Sequence, residues 1–137
     1  MLTSAPYDIY YAHHQWKYGT PEEVYEISLI KRYFPNANIF NPATDLTTIP
    51  SGDETVIMNE CLNVVRGADI LVFSSLDGCV GTGVFHEVKE AMRKGTIVFY
   101  IYQDNLIADF EIIEREEFER TDRLYAFVER RKHEKVY

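Results

Sequence analysis

The chain lacks the short motifs that identify many protein classes. Its 137 residues include only two cysteines, Cys61 and Cys79. Their spacing fits neither a zinc site nor a disulfide framework, so we expect free thiols, a reducing cytoplasmic environment and no bound metal. No G-x-G-x-x-G follows the first apolar strand, and no G-x-x-x-x-G-K-[ST] occurs. These absences argue against a dinucleotide-binding Rossmann domain and a P-loop NTPase.

Basic residues and long apolar runs are also scarce. There are 14 lysines and arginines against 22 acidic residues, a net charge of −8. This charge repels a phosphate polymer, so we expect no binding to DNA or RNA, although backbone N–H groups can still hold a small anion. No apolar run approaches the roughly 20 residues of a membrane span. Residues 1–6 show no signal peptide, so we predict a cytoplasmic protein without a membrane partner.

The elements that are present alternate between strands and helices. The hydrophobic fraction of 46% is ordinary for a globular chain, and 137 residues are expected to form a single domain, 1–137. Apolar runs predict strands at residues 7–12, 37–40, 70–73 and 96–102, with helices in the three intervals between them. This order predicts a flavodoxin-like, doubly wound three-layer α/β sandwich with four or five mostly parallel strands.

Local signals place the first and last helices. Thr20 is a good N-cap because a proline and two glutamates follow it, and Val24, Ile27 and Ile30 are expected to face the sheet. After residue 102 the pattern is weaker. It predicts an edge strand within residues 106–113 and a terminal helix over residues 121–132.

The central stretch of the chain carries the strongest functional signal. A buried strand at residues 70–73 leads into a glycine-rich loop at residues 74–82, and the pattern turns helical from Gly83. In open α/β sheets, ligands bind outside the carboxyl ends of the strands. Glu87 lies about one turn into this helix, so it is either a helix-dipole partner, worth about 0.3–1 kcal/mol, or a catalytic group.

Three features together suggest a family. They are a tyrosine-rich first strand that ends in a short loop (IYYAHH), an Asn-Pro after the second strand, and the sequence ADILVF…GTGVFHE. Over residues 7–102 the chain therefore resembles the nucleoside 2-deoxyribosyltransferase-like superfamily, which includes deoxyribosyltransferases and nucleoside 5′-monophosphate N-glycosidases. The resemblance implies a homo-oligomeric enzyme without a cofactor, acting on a small nucleoside or nucleotide.

The resemblance also implies roles for particular residues. Glu87, four residues after Gly83, would attack C1′ of the sugar, and water or a second base would resolve the glycosyl-enzyme. Tyr10, or next to it Tyr11, would hold the nucleophile or the sugar. The loop after the first strand would wall the base pocket with His13, Trp16 and Tyr18. The N–H groups that start the helix would receive the 5′-phosphate or 5′-hydroxyl, from Gly81, Thr82 and Gly83.

Two positions differ from the family pattern. Gly81 and Cys61 stand where aspartates are common, so the acid that protonates the leaving base is missing, and Asp77 is the nearby substitute. Loss of a general acid costs about 10²–10⁴-fold in rate. A non-catalytic nucleotide-binding (sensor) domain of the same fold is therefore the alternative function, and a flavodoxin-like cofactor protein is a third interpretation.

Overall fold

The computed structural model of the chain describes residues 5–46, 53–114 and 124–131. In chain order the elements are β1 (Asp8–Ala12), a 3-10 helix (Gln15–Lys17), α1 (Pro21–Tyr33), β2 (Asn38–Phe40), α2 (Pro42–Asp45), α3 (Glu54–Gly67), β3 (Ile70–Phe73), β4 (Cys79–Gly81), α4 (Thr82–Lys94), β5 (Ile97–Tyr102), β6 (Asn105–Ile107), β7 (Phe110–Glu114) and β8 (Leu124–Arg130). Within these ranges no helix has the length and apolar character needed to cross a membrane.

The main sheet has five strands in the order β2-β1-β3-β5-β6. The first four are parallel, and β6 runs antiparallel to β5 at the edge. Parallel neighbours require long crossovers, which here are helical and cover both faces of the sheet. The predicted flavodoxin-like, doubly wound α/β class is confirmed.

Side chains on β1 alternate between the two faces of the sheet. Ile9 and Tyr11 pack with Ile30 and Phe34 on the α1 face. On the opposite face, Tyr10 and Ala12 join a core formed with α3 and α4. Because successive residues of a strand point in opposite directions, the adjacent Tyr10 and Tyr11 serve two different environments.

A second, antiparallel sheet corrects two predictions. It has the order β4-β8-β7, and it packs against the α4 face through Ala126 and Val128. The predicted helix over residues 121–132 is wrong where the structure describes it, since residues 124–130 form β8. The apolar run LYAFV fits either period, and pairing with a strand on each side selects the extended form. The predicted loop at residues 74–82 also contains β4, ahead of α4.

The remaining predictions differ in detail. Residues 106–113 hold two strands rather than one edge strand, because β6 closes a hairpin on β5 and β7 joins the second sheet. Helix α1 does begin after the Thr20 N-cap, but Val24 is 68% exposed. The first half of α1 buries Glu23 and Glu26 instead. Carboxylates at buried positions require polar partners, and the neighbouring loop provides them.

Candidate functional site

Glu87 is a buried carboxylate that faces β1 of the main sheet. It lies in the second turn of α4 and is only 5% exposed. The Tyr10 hydroxyl donates a hydrogen bond to Glu87 Oε2, and the Cys61 thiol of α3 is a second hydrogen-bonding partner. A surface helix-dipole partner would not need such burial, so the geometry favours the functional interpretation of this residue.

The environment of Glu87 sets its protonation. Burial raises the pKa of Glu87 to about 7, and the hydrogen bonds from Tyr10 and Cys61 hold it below a still higher value. Burial also raises the pKa of Cys61 to about 11 and moves the pKa of Tyr10 well above its ordinary range. Both partners are therefore protonated donors near neutral pH, where Glu87 is partly ionised, so it can act as an acid–base group or, when ionised, as a nucleophile.

Aromatic and apolar side chains surround this carboxylate. The ring of Phe40 stacks on Tyr10 with centroids 5.5 Å apart. Burial raises the pKa of Tyr18, and the Glu87 carboxylate raises it further. A Cβ atom at Gly83 would lie 3.3 Å from Met58 Cε, so α3 and α4 are closely packed beside the site.

A cavity of about 410 Å³ lies beside the site, between the β1–β2 edge and α3. This volume falls within the range of small-molecule pockets. Its lining includes Tyr10 and Phe40 but not Glu87, so Tyr10 borders both the cavity and the carboxylate. We centre the candidate site on Glu87 because burial brings its pKa to about 7 and Tyr10 donates a hydrogen bond to it.

A second polar cluster lies on the α1 face. Glu26 accepts hydrogen bonds from Tyr11 and from Ser74 Oγ at 2.7 Å. Lys17 Nζ donates to Glu26 Oε2 at 2.8 Å and to Ser74 Oγ at 3.0 Å. Sequence inspection missed Lys17, Glu26 and Ser74, since charged residues near a helix start are ordinarily assigned to solvent.

His13 connects this cluster to the start of α1. Its Nε2 atom lies 2.6 Å from Glu23 Oε2, and its ring stacks on Tyr11 with centroids 3.8 Å apart. Burial lowers the pKa of His13. Glu23 also accepts a hydrogen bond from the Gly19 N–H at 3.1 Å. His13 is therefore part of the support of the loop after β1, and its ring does not form an open wall.

The other predicted site residues are more exposed. Trp16 and Tyr18 are 50% and 40% exposed, so both can contact a ligand. Asp77 and Gly78 occupy a two-residue turn with φ values of 50° and 81°, closed by hydrogen bonds between Leu76 and Cys79. This Asp-Gly pair is typical of a type I′ turn, which by itself accounts for an exposed aspartate there. Its role as the acid stays a prediction.

The glycine segment begins α4 directly after β4. Gly81 is the N-cap, is buried, and has no side-chain cap, while Thr82 is exposed and Gly83 is half-buried. Uncapped N–H groups at a helix start favour an anion or a hydroxyl. Among the described residues, no group of three or more histidine, cysteine or acidic side chains could hold a metal ion.

Replacing Tyr10 with phenylalanine should raise the pKa of Glu87 further. The hydroxyl stabilises the ionised carboxylate, so its loss is expected to move the titration midpoint up by about one pH unit. NMR of the labelled glutamate carboxyl carbon measures this midpoint without any assay of activity. Tyr11→Phe is the matched control because its hydroxyl bonds to Glu26 on the opposite face. An unchanged midpoint in Tyr10→Phe would contradict the assigned bond.

Comparison with known proteins bears on the fold. No protein-family model and no curated protein sequence matches this chain. Among solved structures, a 2-desoxiribosyltransferase from Leishmania mexicana superposes with a TM-score of 0.53 and 16% sequence identity. The superposition covers 88% of this chain and 78% of the transferase chain. At that identity the similarity shows a shared fold, and the function depends on the site.

Proposed function

We propose that this chain cleaves the N-glycosidic bond of a nucleoside or nucleotide, with Glu87 as the nucleophile. The observation that carries the proposal is the buried Glu87 carboxylate, held by the hydroxyl of Tyr10 in β1. Ligands of doubly wound sheets bind outside the carboxyl ends of the strands, where the loop after β1 carries Trp16 and Tyr18. A carboxylate with a pKa of about 7 is ionised in a large fraction of molecules at neutral pH and is poorly solvated, which suits it for attack on carbon.

The chemistry takes two steps. Glu87 attacks C1′ as the bond from C1′ to the base nitrogen breaks, and the electron pair leaves with the base, which takes a proton. Asp77 is the donor suggested by the sequence, and solvent water is the alternative. A water molecule or a second base then attacks C1′ of the glycosyl-enzyme and regenerates the carboxylate, giving hydrolysis or transfer. Tyr10 keeps the carboxylate oriented throughout.

Two further observations support the proposal. The solved structure with the same fold is described as a deoxyribosyltransferase. In addition, Cys61 stands where the family pattern has an aspartate, and here its thiol contacts Glu87. Residue 61 is therefore still in contact with Glu87, although a thiol there lacks the negative charge of an aspartate.

The same substitution supports the alternative function. Without aspartates at positions 61 and 81, the described residues around Glu87 offer a hydroxyl and a thiol but no second carboxylate. Such a site could bind a nucleotide without turnover, as a sensor domain does. A binding domain would keep its affinity and show no base release under any condition.

Base release distinguishes the two functions. Purified protein is incubated with a panel of nucleosides and 5′-monophosphates, and free bases are measured by chromatography. We expect release from one substrate class, which also tells whether a 5′-phosphate is required. If no base is released from any of them while a nucleotide raises the melting temperature, the catalytic proposal is overturned in favour of the binding domain.

A further inference from the structure

Lys17 is a buried lysine that the proposed chemistry does not use. It ends the 3-10 helix after β1, and it is only 2% exposed. Moving an ammonium group out of water is costly unless it is paired and fully hydrogen-bonded. A lysine in a surface loop could easily extend into solvent, so its burial calls for a structural reason.

The side chain of Lys17 joins three elements. Nζ bonds to Glu26 of α1 at 2.8 Å and to Ser74, just beyond β3, at 3.0 Å, and Glu22 lies 3.4 Å away. Its carbonyl oxygen accepts hydrogen bonds from the N–H and the hydroxyl of Thr20, the N-cap of α1. Both ends of this residue are therefore held by the rigid frame of the fold.

The residues on either side of Lys17 lie in the loop after β1, the end of a strand outside which ligands of doubly wound sheets bind. Tyr18 follows Lys17 directly; its ring centroid lies 4.9 Å from that of His13, and the residue is 40% exposed. Trp16 precedes Lys17; the backbone N–H of Trp16 donates to His14 Nδ1 at 3.0 Å, and Trp16 is 50% exposed. A short 3-10 helix has few hydrogen bonds of its own, and the Lys17 ion pair gives this segment a buried side-chain anchor.

We propose that Lys17 is a positioning residue, which holds Trp16 and Tyr18 in the loop at the carboxyl end of β1 through its buried bonds to Glu26 and Ser74 and thereby sets substrate affinity. Its effect on affinity rests on the proposed function, whereas its effect on the loop does not. Loss of the Lys17 ion pair should therefore change the conformation of the loop and, separately, the kinetics.

Trp16 is the only tryptophan in the chain, so indole fluorescence reports on this loop alone. Lys17→Met removes the charge and keeps the length of the side chain. Since half of the Trp16 surface is already exposed, release of the loop should steepen acrylamide quenching by up to about twofold, without a change in far-UV circular dichroism. Lys31→Met, at the exposed end of α1, is the matched control and should quench like the wild type.

The KM and kcat of Lys17→Met distinguish a positioning role of Lys17 from a purely structural one. If the loop contributes binding alone, Lys17→Met should raise KM by about tenfold and leave kcat within about threefold. Because an unpaired buried carboxylate can prevent folding, the double variant Lys17→Met/Glu26→Gln, which removes both charges, is made alongside. If the single variant does not fold, the double variant is judged by the same two measurements.

The outcomes of the two arms are distinguishable. A folded Lys17 variant with wild-type quenching of Trp16 and wild-type KM would overturn the inference. A wild-type protein without turnover would refute the proposed function only, and Trp16 quenching would then decide the role of Lys17. Equal changes of Trp16 quenching or KM in Lys17→Met and Lys31→Met would also overturn the positioning role of Lys17, since the effect would then not be specific to the buried ion pair.

Discussion

Glu87→Gln will release base at least about 10⁴-fold more slowly than the wild-type protein, because an amide cannot form the glycosyl-enzyme. The substitution keeps the size and shape of the side chain, and Tyr10 can still donate its hydrogen bond to the amide oxygen. The site should therefore stay assembled, and substrate should bind within about threefold of the wild-type affinity. Chromatographic base release and a separate binding titration measure the two quantities.

The matched control for this variant lies one turn along the same helix. Glu90 forms surface ion pairs with Arg66 and Arg93 at 2.9 and 2.6 Å, so Glu90→Gln should leave turnover unchanged. Undiminished base release by Glu87→Gln would show that the nucleophile is another group. Equal losses in both variants would indicate damage to α4 as a whole instead of the loss of a nucleophile.

The same Glu87→Gln variant should become more stable relative to the wild type as pH rises. Burial lifts the pKa of Glu87 from 4.5 to about 7, so between these values the folded protein binds a proton that the unfolded chain has lost. The free energy of unfolding of the wild type therefore falls as pH increases through this window. The full loss, reached above pH 7, is about 3 kcal/mol. Glutamine has no such titration and avoids the penalty.

Urea unfolding between pH 5 and pH 8 measures this difference. Subtracting the wild-type free energy of unfolding from that of the variant cancels all the other titrating groups. The ion pairs of Glu90 hold its pKa at about 2, so Glu90→Gln should show a constant difference over the same range. A difference that does not change with pH for Glu87→Gln would mean that the buried carboxyl has an ordinary pKa. A gain in stability together with a loss of activity is common at functional sites.

Much of the fold was predictable because local signals and tertiary contacts agree. The apolar run at Ile70–Phe73 can only be a strand buried on both faces, and the structure places it at the centre of the sheet. The threonine, proline and glutamates at residues 20–23 start α1 where predicted. Alternation of such elements leaves few topologies other than a doubly wound sheet. Glu87 could be singled out because a helix that follows a glycine loop is expected to begin near the ends of the strands where ligands bind.

Other features arise from long-range packing, which local sequence patterns do not specify. Residues 124–130 form β8 because strands on both sides supply hydrogen-bond partners, although the apolar run also fits a helix. Glu26 is buried and Val24 exposed because Lys17, in the loop before α1, and Ser74, 48 residues away, provide the polar partners that a buried carboxylate needs. The pKa of Glu87 likewise depends on Tyr10, 77 positions away. Periodicity predicts which face of an element is apolar, but the cost of burying a charge is offset only by groups that the folded chain brings together.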